Sequence, residues 1–388
     1  MRIAYVTADS GFPVFGPTGA SVHVRELTAA LHTIGAEITI LAAKRGTHVC
    51  SLAADIREID TAVAHVPPGS NGPVKERAYM RIGISAADEL IQLHRTAPFD
   101  LIYERYSLWS AAGVRAARQL GVPCFIEVNS PLLLEQMRYR ELHLTSEAQT
   151  IEAEVFRNAD RLLAVSEQVK AYAVAKGARP ARSIVVPNGV DLGRFHSTVP
   201  KDPLTAADGK FVVGFSGSLK AWHGIEPLLE AFRILNAANP KTHLLIIGDG
   251  PMRQWIEGYA CGARLKDDIS ITGWVDHDLV PSLLQCVDVA VAPYPDLDDF
   301  YFSPLKLYEY MAMGKPIVAS AIGQIAEVLE HGVTGRLSRP GDPSDLAHQI
   351  ELLRQDSTMA AALGRGASRR ARAFTWKRNA KRILELAS

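Results

Sequence analysis

Short apolar runs alternate with longer stretches of helical periodicity along nearly the whole chain. In the first half the apolar runs fall at 3–7, 37–41, 100–103, 123–128, 161–165 and 183–186. Helical patterns occupy 21–34, 74–94, 108–120, 146–157 and 167–176. Runs that are apolar throughout are buried on both faces, and each is followed by a helix, which predicts a parallel sheet covered on both sides. The pattern then starts again. Apolar runs at 211–216, 243–247, 269–272, 287–292, 316–319 and 335–337 interleave with helices at 226–235, 252–261, 279–284, 304–313, 343–354 and 358–369. Between the halves, 196–210 carries Pro200, Pro203 and Gly209 and reads as a linker. A last helix, 375–386, has no strand after it. The expected α/β architecture is two doubly wound, Rossmann-like parallel-sheet domains, 1–195 and 211–370, facing a cleft. Ligands of such sheets sit at the carboxyl ends of the strands.

Composition narrows the class. The chain has 388 residues, 47% of them hydrophobic and 22% charged, enough for two cores and too little charge for disorder. With 42 basic and 42 acidic residues, non-specific binding to nucleic acid has no electrostatic footing. Cys50, Cys124, Cys261 and Cys286 are far apart with no C-x-x-C spacing, which argues against zinc and for a reducing cytoplasmic setting. The chain opens on a strand rather than a signal peptide, and no apolar stretch approaches the ~20 residues of a membrane span. A soluble cytoplasmic protein is expected.

The loops after the strands carry the candidate chemistry. The loop ending in Gly16-Pro17-Thr18-Gly19 lets backbone approach a ligand and opens a helix whose first amides are donors. It has no G-x-G-x-x-G, which counts against a dehydrogenase-type dinucleotide fold. After 211–216 comes Gly217-Ser218-Leu219-Lys220-Ala221-Trp222-His223-Gly224, which fits a phosphate-binding loop but lacks the G-K-[ST] of a nucleotide triphosphatase. Gly248-Asp249-Gly250-Pro251 and Gly273-Trp274-Val275 could accommodate a base or ribose edge, or be plain turns. Glu104-Arg105 and Glu127-Val128-Asn129 end two strands of the first half with polar groups suited to an acceptor. In Ser303-Pro304-Leu305-Lys306, Ser303 is a good N-cap and Pro304 suits the first helical position. Free amides of Leu305 and Lys306, with the Lys306 charge, then make an anion site. Glu309 lies on the same face, where it could accept from sugar hydroxyls; the plainer alternative is a capped helix with a surface Lys306–Glu309 pair.

Together these segments resemble the GT-B glycosyltransferases of family 4, whose members retain the anomeric configuration. The resemblance spans nearly the whole chain. It rests on Val186-Pro187-Asn188-Gly189-Val190-Asp191, Gly217–Gly224, Gly248–Pro251 and Phe302–Gly314. It implies a sugar nucleotide held mainly by the second domain, an acceptor held mainly by the first, and a final segment, 371–388, crossing back to the first domain. The second glutamate of the family's E-x7-E signature falls on Glu309, implying a contact to the donor ribose, whereas the first falls on Tyr301. In the loop that usually reads G-R-L-x-x-x-K-G, Ser218 and His223 replace the arginine and lysine. Both usual diphosphate cations are missing, so Lys306 and Lys220 are expected to supply the charge, with His223 and Ser218 as hydrogen-bond donors. The family's histidine near the reacting sugar has no counterpart at Glu127-Val128-Asn129.

The resemblance implies transfer from a nucleotide diphosphate sugar, with uridine the default base, to an acceptor hydroxyl. Lys306, Glu309 and His223 are the candidate catalytic residues. Gly19, Ser218, Lys220, Gly250, Trp274, Val275, Ser303, Pro304 and Leu305 are the further donor contacts, and Gly16, Glu104, Arg105, Glu127 and Asn129 the acceptor contacts. No cofactor or metal is expected; Asp296, Asp298 and Asp299 read as a solvated acidic loop. The acceptor stays open among a sugar, a lipid-linked sugar and a small metabolite. Rival readings are a sugar-nucleotide epimerase or hydrolase and a non-catalytic nucleotide-sugar-binding subunit. Lys75, Arg77, Arg81, Arg138 and Arg140 could touch anionic lipid at the inner membrane face, although a solvated charged face is commoner.

Overall fold

The computed structural model describes residues 1–47, 52–66, 69–202 and 209–387. Cys50 and Pro203 lie outside the described residues. The chain forms two compact units. The first contains β1 (Arg2–Thr7), α1 (Gly19–Thr33), β2 (Glu37–Ala42), β3 (Asp55–Glu58), α2 (Gly72–Thr96), β4 (Leu101–Arg105) and α3 (Ala112–Leu120). It continues through β5 (Cys124–Val128), α4 (Leu132–Tyr139), α5 (Thr145–Asn158), β6 (Arg161–Ala164), α6 (Glu167–Ala175) and β7 (Ser183–Val185). Its parallel sheet has the order β3-β2-β1-β4-β5-β6-β7.

The second unit contains β8 (Phe211–Ser216), α7 (Ile225–Ala238), β9 (Thr242–Ile247), α8 (Arg253–Gly262), β10 (Ile269–Ile271), α9 (Val280–Gln285) and β11 (Val289–Ala292). It continues through α10 (Leu305–Ala312), β12 (Ile317–Ser320), α11 (Gly323–Val328), β13 (Arg336–Ser338), α12 (Pro343–Gln355) and α13 (Ser357–Ala371). Its sheet runs β10-β9-β8-β11-β12-β13, again parallel. Each sheet therefore reverses direction beside its own first strand, at β1/β4 and at β8/β11. That reversal is where an open α/β sheet leaves a crevice for ligand.

The boundaries differ from those expected. Residues 188–195 belong to the second unit rather than the first. Phe195 is buried there, Val190 bridges to Thr375, and Arg194 pairs with Asp278 at 2.7 Å. The segment 196–202 is likewise tied down, with the Ser197 carbonyl accepting from Gln285, so the proline-marked stretch is not a free spacer as far as it is described. Tyr301–Ser303 belongs to the first unit although its neighbours belong to the second. The last helix, α14 (Trp376–Ala387), also returns to the first unit, packing on α1 through Trp376, Ala380 and Ile383. Burying Trp376 and Ile383 contributes roughly 2–3 kcal/mol each, which explains a terminal helix with no strand.

Local corrections have local causes. Strand β3 has mostly exposed positions and no apolar run to announce it. The helix expected over 108–120 starts only at Ala112, because Ser107–Ser110 forms a turn that supplies Ser110 to Glu104. Helix α10 starts at Leu305 with Pro304 immediately outside it, so Ser303 stands one residue before the cap position.

Candidate active site

Two glycine turns of the second unit lock together at the carboxyl ends of β8 and β9. The Leu219 amide donates to the Asp249 carbonyl at 2.9 Å, and the Met252 amide to the Leu219 carbonyl at 3.0 Å. A Cβ on Gly250 would stand 2.6 Å from the Leu219 nitrogen, and φ there is +159°. Gly250 thus braces the Gly217–Gly224 loop by close backbone approach. Gly248 pairs with Gly273, which sets Trp274, exposed, and Val275, half-buried, beside the same turn.

Helix α10 brings Lys306 to this loop. A Cβ on Gly217 would meet the Lys306 Nζ at 2.8 Å, so the missing side chain there is the space the ammonium uses. Nζ lies 3.7 Å from the centre of the Phe215 ring and 5.8 Å from that of Tyr294. Lys306 is 7% exposed, and among the described residues its Nζ has no hydrogen-bond partner. Burial drives its ionisation down to about 7, only partly offset by the Glu309 charge. The amides of Leu305 and Lys306 head the same helix, where an α-helix has no acceptor of its own. A buried amine without a partner and an uncapped helix start make a site with unmet capacity for an anion.

The other expected groups behave differently. His223 Nδ1 lies 2.7 Å from the Ser218 carbonyl oxygen, which can only accept, so Nδ1 carries the proton. Burial, then the nearby Lys306 charge, hold the imidazole neutral with its ionisation near 3. Without a ligand its remaining nitrogen is therefore an acceptor, whereas donation to a diphosphate was expected. The Ser218 hydroxyl lies 3.4 Å from that Nδ1. The Lys220 ammonium sits 4.9 Å over the Trp222 ring. Glu309, buried, holds His277 Nε2 at 2.7 Å through Oε1. His277 was not found from sequence, because an isolated histidine in the loop after β10 carries no local signal. Among the described residues no group of three or more His, Cys, Asp or Glu could hold a metal ion.

Residues 17–194 match the family model described as Glycosyltransferase Family 4, and residues 210–356 match that for glycosyl transferases group 1. The chain belongs to the family 4 glycosyltransferases. A D-inositol 3-phosphate glycosyltransferase of Pseudarthrobacter chlorophenolicus is 26% identical to it over 386 aligned residues, spanning 95% of this chain and 89% of the relative. Sucrose-phosphate synthase from Thermosynechococcus elongatus shares the fold with a TM-score of 0.76 at 21% identity, over 99% of this chain and 98% of the other. Anabaena HepE, solved with UDP-glucose, does so with a TM-score of 0.74 at 19% identity, over 99% and 98%.

In the first unit this glycosyltransferase carries a second polar centre, built by strand register. Arg105 pairs with Glu127 across β4 and β5, and Tyr103 with Phe125 one step below on the same face. Glu127 accepts from Tyr103 Oη at 2.5 Å, from Arg105 at 3.2 Å and from the Asn129 amide, and meets His23 Nε2 of α1 at 2.6 Å. Burial alone would raise Glu127, but His23, Arg105 and Tyr103 outweigh it and hold the carboxyl down at about 2. Trp376 packs edge-on against the His23 ring at 4.9 Å. His23 also escaped the sequence reading, since it sits inside an amphipathic helix where a histidine is unremarkable.

Glu104 is displaced from the acceptor set. Strand alternation turns it to the opposite face from Arg105, where it is fully enclosed and accepts from Ser110 Oγ and the Gly113 amide, both 2.8 Å. Burial raises its carboxyl to about 7. Gly16 is likewise spent on the loop, its carbonyl accepting from Arg25 at 2.8 Å, whereas Gly19 is exposed at the first residue of α1. Tyr301, at the signature's first glutamate position, donates to Glu135 at 2.6 Å, and its carbonyl accepts from Ser166, so its side chain is committed to the first unit.

Proposed function

We propose that this enzyme transfers a sugar from a uridine diphosphate sugar to an acceptor hydroxyl with retention of configuration. The observation that carries the donor site is the buried, unpartnered Lys306 Nζ set against Gly217 at the head of α10. The usual loop cations are replaced by Ser218 and His223, and Lys306 reaches the same loop from the other side of the sheet reversal. It would neutralise the departing diphosphate, with the amides of Leu305 and Lys306 alongside. Glu309, oriented by His277, would accept from the ribose, and Trp274 and Val275 would flank the base. HepE binding UDP-glucose supports uridine.

The chain offers positioning and electrostatics rather than a covalent nucleophile, so the diphosphate oxygen takes the acceptor proton on the face it leaves. Arg105, held by Glu127, and Asn129 are the acceptor contacts we favour. The relative's name, with its phosphorylated cyclitol, supports a polyhydroxylated acceptor with an anionic group. Turnover is expected without added metal and unaffected by chelator.

Among the described residues no helix is long and apolar enough to cross a membrane. A peripheral contact would use the exposed face of α2, with Lys75, Arg77 and Arg81 near exposed Tyr79 and Ile84, and would show as flotation with anionic vesicles. The donor reading is tested by thermal shift against a panel of nucleotides and nucleotide sugars. A ligand at 100 times its Kd stabilises the fold by about 2.7 kcal/mol. A shift with uridine diphosphate and its sugars, lost in Glu309→Ala, supports the reading; a shift with another base replaces uridine, and none with any overturns it.

A further inference from the structure

Among the described residues Lys306 Nζ has no hydrogen-bond partner, and the Glu309 charge offsets its burial only in part. On its own helix, Glu309 spends Oε1 on His277, and the Tyr310 hydroxyl accepts from the Ser216 amide at 2.7 Å. From the loop after β8, His223 is neutral and Lys220 is turned over Trp222. From the loop after β11, Tyr294 presents a buried phenol whose ionisation is raised by burial. From β8 itself, Phe215 gives only a ring face. An ammonium in water has three hydrogen bonds, and two ring faces replace only part of that solvation. This surrounding thus favours the amine near neutrality, in line with an ionisation near 7.

We infer that donor binding and protonation of Lys306 are one coupled event: the diphosphate group enters a neutral pocket and Nζ takes up a single proton from solvent as it does so. The amine lone pair forms the new N–H bond, the ammonium then faces the diphosphate, and the proton returns to solvent when the nucleoside diphosphate leaves. This rests on the donor reading above and adds its proton linkage. Donor affinity should be flat below about pH 7. Above it, affinity should fall by up to tenfold per pH unit, because the free enzyme must be protonated before the bound form is reached.

The test is calorimetric titration of the full chain with UDP-glucose at about pH 8, in two buffers of very different ionisation enthalpy. UDP-glucose has no phosphate group titrating near that pH, so any proton exchanged belongs to the protein. Close to one proton taken up per UDP-glucose bound is expected, falling to near zero in Lys306→Arg, whose guanidinium is charged throughout. Heat that is the same in both buffers overturns the inference while leaving the donor site standing. Uptake that persists in Lys306→Arg overturns it too, by moving the proton to His223 or elsewhere. Should that variant fold or bind poorly, the wild-type Kd at pH 7 and pH 8.5 decides: roughly tenfold weakening supports the coupling and a flat profile refutes it. Absence of UDP-glucose binding at any pH instead sinks the donor reading, and the inference with it.

Discussion

The two units share one strand order up to their sixth strands, yet they treat buried charge in opposite ways. At β4/β5 of the first unit, Glu127, Arg105, His23, Tyr103 and Asn129 answer one another within hydrogen-bonding distance. Beside β8 of the second, Lys306 is as deeply buried, yet among the described residues its Nζ has no hydrogen-bond partner and meets only the Phe215 and Tyr294 rings and the Glu309 charge. A satisfied network holds shape; a buried cation without a hydrogen-bond partner costs stability. The same architecture thus holds a hydrogen-bonded charge network in one half and a buried amine without a hydrogen-bond partner in the other.

The contrast breaks first at Glu127. Glu127→Gln leaves Arg105 without its counter-charge and His23 without its carboxylate partner, and should destabilise the first unit by about 3–5 kcal/mol in urea unfolding. A change below about 1 kcal/mol would mean the network contributes little. Lys306→Ala should instead spare the fold and lower kcat by about 10²-fold. Retained turnover would remove the lysine from its role.

Lys306→Met sharpens the comparison, since an apolar chain of similar length removes the desolvation cost. The empty protein should gain about 1–3 kcal/mol while losing turnover. A loss of stability would show that the ammonium is already well accommodated. The pH dependence separates the two halves by sign. Glu127 is depressed from 4.5 to about 2, so its contribution is complete above 4.5 and is lost as pH falls toward 2. Lys306 is depressed from 10.5 to about 7, so the unfolded chain binds more protons between those values. Stability of the empty protein should therefore rise with pH through that window, and the rise should vanish in Lys306→Met. The smallest effect is expected at Tyr301→Phe, which removes the hydroxyl to Glu135 at a cost of about 1 kcal/mol and keeps turnover. Lost turnover would return position 301 to the donor site.

Much of the fold was legible because its signals are local. Apolar runs of strand length, helices between them and the glycines directly after 211–216, 243–247 and 269–272 follow from the chemistry of neighbouring residues, so the parallel sheets and the loops at strand ends could be read directly. The place of Lys306 in the first turn of α10 was legible for the same reason: a proline, a helix start and a lysine lie within four positions. Glu104 was misplaced because adjacency in sequence hides alternation in a strand, which sends Glu104 and Arg105 to opposite faces. The 196–202 segment was misread because prolines mark irregular backbone whether or not it is packed, and Phe195 beside it is buried.

By itself the sequence determined the class of fold, the order of elements and which loops end at strand tips, since each depends on contacts within a few residues. It could not determine which groups are left over after folding. His23 meeting Glu127, His277 meeting Glu309, the neutral state of His223 and the unbonded Lys306 Nζ depend on residues distant in sequence being brought to one place. Desolvation and pairing are properties of that assembled surrounding, so only the tertiary structure could decide which buried charges are hydrogen-bonded and which are not.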